Sequence, residues 1–308
     1  MSNLRTVVIT GTSRGLGLAS ATLLYKQGWR VVGAMRSTQA GLEALHTATG
    51  AKSGDSRLLA VALDITSQES IVAAAVQIER TVGAPDALVH NAGISASGCV
   101  EEMPARVWEE MFATNLFGPV ALTKALLPAM RRRATGRIVV VSSIGGARGM
   151  PSISAYSASK GAVERWGEAL AEEIAPFGLG VTVLIPGAFA TDIITEKTPE
   201  YGNLQGPYAA LYAGMRRTGG AIVSKAQRPE VFARALAKAL DDKAPFCRRC
   251  VGSDAVQLSL TARFLPAGVL HNTIRKALGL PTFGSLCVQQ PASDSALQVK
   301  TAQAKRDL

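Results

Sequence analysis

The sequence predicts an α/β fold, a doubly wound parallel sheet of about seven strands with helices on both faces. Three observations predict it. Short β-branched runs alternate with helical patterns along most of the 308 residues. The first such run passes through a Gly-rich turn straight into a helical stretch. A hydrophobic fraction of 47% is enough for a full core, and no internal repeat interrupts the pattern. Parallel strands joined through helices cross over right-handed.

The elements follow in order. Thr6 to Thr10 is the first strand, and Gly11-Thr12-Ser13-Arg14-Gly15-Leu16-Gly17 leads into a helix that ends at Gln27-Gly28. Glycines at such a turn let the backbone approach a pyrophosphate, which the positive helix N-terminus favours. The spacing is G-x-x-x-G-x-G. Arg30 to Met35 is the second strand, and Arg36-Ser37 follows where an NAD site carries an acid for the ribose 2′-hydroxyl. The first acid of the chain is Glu43. Arg36, with Arg14 in the turn, therefore suits a 2′-phosphate, and the expected cofactor is NADP.

Leu58 to Leu63 is the third strand, ending at Asp64-Ile65, with Thr66 and Glu69 spaced as a capping box for the next helix. Ala87 to His90, the fourth, ends in Asn91-Ala92-Gly93; a loop covers Ile94 to Met103. Pro104 opens a helical stretch to the Arg131 cluster, with a break expected near Phe117-Gly118-Pro119 and a polar Asn115 inside it. Ile138 to Val141 is the fifth strand, then Ser142-Ser143 and a Gly-rich loop. The next helix begins near Ser154 and carries Tyr156 and Lys160. Val181 to Ile185 is the sixth strand, closed by Pro186-Gly187. Residues 188–228 are weakly patterned, a length that suits a lid or binding loop. A helix from Pro229 to about Leu240 precedes a short seventh strand around Cys250-Val251-Gly252. The expected organisation is one domain over 1–253, a helical extension over 254–289 and a mobile polar tail over 290–308.

Tyr156 and Lys160 lie four apart, on one face of their helix. A phenol ordinarily loses its proton near pH ~10, and a nearby cation lowers that value. A tyrosine so tuned exchanges a proton with a carbonyl or alcohol oxygen near neutral pH, and the hydroxyl of Ser143 can hold the same oxygen. The pair alone is a common spacing; a surface helix with one aromatic and one charge would show it too.

The net charge of +10 is spread over short clusters, Arg131 to Arg133, Arg216-Arg217 and Arg248-Arg249, which read as solvated helix ends and loops. No nucleic-acid motif accompanies them. Cys247-x-x-Cys250 stands without a second pair or spaced histidines, so no metal is expected. Four cysteines without a dense framework, no signal-like apolar stretch near Met1 and no run of ~18 apolar residues place the expectation in the cytoplasm.

Thr10-Gly11-x-x-x-Gly15-x-Gly17, Asp64, Asn91-Ala92-Gly93, Asn115, Ser143, Tyr156-x-x-x-Lys160 and Pro186-Gly187, in this order, resemble the short-chain dehydrogenase/reductase family in its single-domain branch, over roughly 5–253. Residues 115–119, 142–146 and 251–255 look most like its 17-beta-hydroxysteroid and retinol dehydrogenase-like reductases. The resemblance implies a Rossmann-type strand order 3-2-1-4-5-6-7. It implies Tyr156 as general acid/base, Lys160 lowering its pKa and binding the nicotinamide ribose, Ser143 orienting the substrate oxygen, and Asn115 supporting a proton relay to Lys160. Gly11, Ser13, Arg14, Gly15, Leu16 and Gly17 would cradle the pyrophosphate. Arg36 and Ser37 would take the ribose phosphate, Asp64 and Ile65 the adenine, and Asn91, Ala92 and Gly93 the cofactor floor. Pro186, Gly187, Ala188 and Thr191 would flank the nicotinamide amide.

His90 stands where many members have Asn, a side chain that braces strands. Homodimers or homotetramers through the helices bearing Asn115 and Tyr156 are implied. The expected activity is interconversion of a bulky hydrophobic ketone or aldehyde with its alcohol, in a pocket lined by Met150, Phe189, Tyr208, Tyr212 and Met215. A sensor or scaffold binding NADPH without turnover, and a peripheral-membrane retinoid or steroid dehydrogenase using residues 255–280, are the alternatives.

Overall fold

The computed structural model describes residues 4–287, apart from 192 and 194–197 and the side chains of 221–223. The proposed tail, 290–308, lies outside the described residues. Strands β1 (Thr6–Thr10), β2 (Arg30–Met35), β3 (Leu58–Ala62), β4 (Ala87–His90), β5 (Gly136–Val141), β6 (Leu179–Pro186) and β7 (Phe246–Val251) form one sheet. Its order is β3-β2-β1-β4-β5-β6-β7, and every pairing is parallel. The chain reverses its direction of travel across the sheet after β3, so the crevice between β1 and β4 opens above their carboxyl ends.

Alternation along each strand builds two cores. Val8, Val32, Leu88, Ile138 and Val140 face one way, toward α3 (Gln68–Val82), α5 (Gly118–Arg133) and α7 (Ser154–Ile174). Val7, Ile9, Val31, Val89 and Val139 face the other, toward α1 (Gly15–Lys26), α2 (Thr38–Thr49) and α9 (Pro229–Ala239), whose Phe232 is fully buried. Strands buried on both faces read as near-continuous apolar runs, which is why the central ones stood out. The edge strand β7 was legible only at its end, because Arg248 and Arg249 interrupt it.

Four local readings change. The cap of α3 is Ser67, whose hydroxyl accepts from the Ser70 amide; Thr66 instead bonds the Asp64 carboxylate. No break occurs near 117–119: α4 (Ala105–Phe112) runs through a π-turn at Ala113–Phe117 into α5. Pro119 is accommodated because the π-turn immediately before it already interrupts the i→i−4 ladder. The Gly-rich stretch after Ser143 holds a one-turn helix, α6 (Ile144–Ala147). The region 188–228 contains α8 (Ala209–Ser224), whose paired glycines, Gly219 and Gly220, weaken its helical signal. The extension is two helices, α10 (Ser253–Phe264) and α11 (Ala267–Ala277).

His90 is buried, with Nε2 2.7 Å from Thr123 Oγ1 on α5 and its ring edge-on to Trp166 of α7 at 5.7 Å. It braces a strand to two helices rather than strand to strand.

Candidate active site

The first turn is shaped by absent side chains. Gly11 and Gly15 have φ of +73° and +58°, where L-residues are strained. A Cβ at Gly17 would stand 2.1 Å from the Gly11 carbonyl oxygen and 2.6 Å from Asn91 Nδ2. Asn91 Nδ2 donates to the carbonyls of Thr10 and Gly11, at 3.0 and 3.1 Å. The Thr10 hydroxyl accepts from the amides of Asn91 and Ala92. The tips of β1 and β4 are thus sewn together beneath the N-terminus of α1, whose first turn holds no acid. A cradle that only glycine permits, at a positive helix end, fits the pyrophosphate of a dinucleotide.

A cleft of about 500 Å³ runs from this turn across the strand ends. Its walls include Gly11, Ser13, Arg14, Gly15 and Leu16 at one side, and Arg36, Asp64, Ile65 and Thr66 at another. Arg14 and Arg36 are both exposed at its rim. Thr66 holds the Asp64 carboxyl below its ordinary pKa, with a smaller contribution from Arg36, so Asp64 is an anion at neutral pH. Asn91, Ala92, Gly93, Ser143, Tyr156, Lys160, Pro186, Gly187 and Thr191 line the rest. Ser37 and Gly17 are off the wall: Ser37 precedes α2, and Gly17 packs beneath the turn.

Tyr156 and Lys160 sit side by side on α7, each buried, with Lys160 Nζ 6.0 Å from the phenol ring centre. Lys160 donates to the Val141 carbonyl at 2.9 Å. Ser143 lies just beyond β5 and caps α6, its oxygen accepting from the Gly145 amide at 3.1 Å. Asn115 lies behind the wall, fully engaged. Its Oδ1 accepts from the Ile94 amide, and its Nδ2 donates to the Ile94 carbonyl and to Ser159. A Cβ on Gly93 would meet Asn115 Oδ1 at 3.2 Å and Lys160 Nζ at 3.3 Å, so both groups converge on that one glycine.

The electrostatics correct one expectation. Burial pushes the Tyr156 phenol above its ordinary value; the Ser143 hydroxyl, not Lys160, pulls it back. Burial pulls Lys160 down, to about 8 with Glu164 opposing the shift. The phenol is therefore the protonated partner, which suits donation to a carbonyl oxygen.

Of the five apolar residues expected around a substrate, Phe189 alone reaches the cleft wall. The Tyr208 hydroxyl donates to Glu101 at 2.7 Å; that of Tyr212 accepts from the Cys99 amide and donates to Glu102. They fasten α8 to the 99–102 turn instead of facing a ligand, and Met150 and Met215 are also off the wall. In their place stand Ile94, Val107, Met111, Ile193, Pro199 and Tyr201. The loop from Gly187 is anchored to the extension, since Asp254 Oδ2 accepts from the Ala188 amide at 2.6 Å. Sequence reasoning missed Thr10 as a fastener and Glu164, whose place one helical turn beyond Lys160 was the available signal.

The geometry is shared with known proteins. The family model described as short chain dehydrogenase matches residues 5–202. Oxidoreductase BOA17 of Botryotinia fuckeliana is 34% identical over 253 residues, covering 81% of this chain and 89% of that protein. The 3-ketodihydrosphingosine reductase of Bacteroides thetaiotaomicron is 32% identical over 275 residues, 87% of this chain and 96% of that one. A crystal structure of a short-chain dehydrogenase from Streptomyces avermitilis superposes with a TM-score of 0.74 at 36% identity, covering 90% of this chain and 96% of that one. With the first six strands, the glycine cradle and the Tyr156–Lys160 pair all falling within the family match, the chain belongs to the short-chain dehydrogenase/reductase family, oxidoreductases of the alcohol–carbonyl couple that use NAD(P).

Proposed function

We propose that the protein is an NADPH-dependent reductase of bulky, hydrophobic ketones or aldehydes, working through Tyr156, Lys160, Ser143 and Asn115. The observation that carries it is the convergence of Tyr156, Ser143 and Lys160 on one wall of a cleft whose glycine cradle fits a dinucleotide. When bound, the nicotinamide supplies a hydride to the carbonyl carbon. Tyr156 gives its proton to the carbonyl oxygen, and Ser143 holds that oxygen as charge develops. Lys160, kept cationic, offsets the phenolate left behind and binds the ribose, while Asn115 fixes the 93–94 backbone beside it. Arg14 and Arg36 bind a 2′-phosphate with charge-assisted hydrogen bonds.

The substrate side is apolar where it borders Phe189, Met111, Val107 and Ile94. A relative named for reducing a 3-ketodihydrosphingosine supports a keto group on a long apolar chain. Reduction of aryl, polycyclic and long-chain ketones, followed by NADPH loss at 340 nm, tests this. The expected kcat/KM exceeds that for small sugars or hydroxy acids, and NADPH is preferred over NADH at least ~10-fold, a margin that Arg36→Ala narrows. A higher kcat/KM for small polar substrates, or equal use of both cofactors, would sink the proposal.

A second reading adds contact with a membrane surface. Val256, Leu260 and Phe264 form an exposed stripe on α10, with Val269, Phe283 and Leu286 also exposed and Arg263, Arg275 and Lys276 nearby. No helix among the described residues is long and apolar enough to cross a membrane. Flotation with anionic liposomes is expected, and is to be lost on Phe264→Ser with Leu260→Ser; an unbound protein refutes this reading. Assembly as a dimer or tetramer belongs to the same proposal, supported by the exposed Phe117 beside Phe112. A monomeric mass in solution would exclude it.

A further inference from the structure

One turn of α7 beyond Lys160 lies a charge with no part in the chemistry above. The Glu164 side chain is only 2% exposed. A buried carboxylate is costly unless it is paired and hydrogen bonded, and this one is both. One oxygen accepts the Ser142 hydroxyl at 2.7 Å; the other takes Arg248 Nη2, from β7, at 2.7 Å. Ser142 Oγ also lies 3.2 Å from the Lys160 carbonyl oxygen. The fit is close, since a Cβ at Gly146 would stand 2.6 Å from Ser142 Oγ and 2.7 Å from the Lys160 carbonyl carbon. Ser142 adjoins Ser143. The carboxylate therefore touches, through a single hydroxyl, both the strand end that carries Ser143 and the helical turn that carries Lys160.

We infer that Glu164 is a positioning residue, with Arg248 as its counter-ion: it clamps the Ser142–Ser143 strand end to α7 and keeps Lys160 cationic. The inference rests on the proposed roles of Tyr156 and Lys160. Burial pulls the ammonium down, to about 8 even with Glu164 in place, and Glu164 is the charge that opposes this. The other charges around the pair are accounted for. Arg165 Nη2 stands 3.9 Å from Glu164 but is turned toward Glu168, at 2.6 Å. Arg249, the neighbour of Arg248 on β7, is held by Asp242. Arg137 of β5 is spent on carbonyls at the opposite end of the sheet. On α4, Arg106 pairs with Glu110. Tyr156 is protonated. Arg248 is partly exposed, so the clamp reaches from the sheet edge to the reacting groups.

Sign distinguishes this role from a structural one. Removing the carboxylate charge should lower the Lys160 pKa. Removing Arg248 leaves that charge less neutralised and should raise it. The test uses the full chain labelled with [13Cε]lysine, with the Lys160 resonance assigned by its loss in Lys160→Ala and its titration followed by NMR. Glu164→Gln, which keeps the shape and an acceptor for Ser142, is expected to move the titration down by about one pH unit. Arg248→Met is expected to move it up by roughly half a unit.

In reduction of an aryl ketone with saturating NADPH, the alkaline limb of kcat should move the same way in each variant. Lys160 must be charged, and charge is lost as pH rises through its pKa. Unmoved titrations, or shifts of the same sign in both variants, overturn the inference; should Glu164→Gln fail to fold, the upward shift in Arg248→Met decides alone. Normal turnover by Tyr156→Phe would overturn the proposed chemistry instead, whatever the two titrations show.

Discussion

Replacing Gly17 by alanine isolates the cradle from the reacting groups, because Gly17 does not itself line the cleft and packs behind Gly11 and Asn91, which do. Its φ is unremarkable, so the cost is steric. The new Cβ would lie 2.1 Å from the Gly11 oxygen and 2.6 Å from Asn91 Nδ2, both backed by rigid structure. The turn must open by about 1 Å to admit a methyl group. Gly11 cannot yield freely, since its amide bonds the Ala34 carbonyl at 2.8 Å and its own Cα faces Ala92. Overpacking of this kind costs about 1–3 kcal/mol, so a fall in Tm of several degrees is expected. Cofactor binding should suffer more, since a ~1 Å misplacement of a positioning group typically costs on the order of 10²-fold. Fluorescence titration with NADPH should show Kd raised ~10- to 100-fold while the circular dichroism stays native. Binding within twofold of the parent protein, with Tm unchanged, would refute the steric argument for this glycine.

Two further outcomes follow from the same geometry. Tyr156→Phe keeps the buried ring and removes the proton; kcat should fall ~10²–10⁴-fold with NADPH affinity retained, whereas Lys160→Ala should weaken both. Near-normal turnover by the phenylalanine variant rejects the assignment. His90 is held neutral, with a pKa near 3 against 6.5 in the unfolded chain, by burial. Between those values the unfolded state binds the extra proton, so stability is full above ~6.5 and falls as pH drops toward 3. Urea titrations from pH 7 to 4.5 should show a steeper loss in the parent than in His90→Asn, and equal slopes would refute this.

How much was legible follows from what each residue does. Strands buried on both faces advertise themselves, so β1, β2, β4, β5 and β6 could be read from apolar runs and the turns after them, whereas their order came from the family resemblance. Tyr156 and Lys160 are four apart, and local spacing survives folding. What could not be read depends on distant partners. Tyr208 and Tyr212 looked like pocket residues until Glu101 and Glu102, more than a hundred positions away, claimed their hydroxyls. The direction of the Tyr156 shift was missed for the same reason: burial outweighs the hydrogen bond from Ser143, and burial is a property of the whole fold. Ser67 took the capping role from Thr66 because Asp64 occupies the Thr66 hydroxyl.

The π-turn at 113–117 has a consequence in rotation. On an unbroken α-helix Met111 and Leu122 would point within ~20° of each other. Here Met111 packs with Val107 and Tyr156, whereas Leu122 packs with Leu126 under the sheet. The wider turn withdraws about one residue's worth of twist, ~100°, between them. One rod thus changes phase midway and serves two cores, with Asn115 at the point of change. Deleting a single residue there would restore α geometry and screw α4 round by that angle, carrying Val107 and Met111 off the cleft while α5 stayed in place.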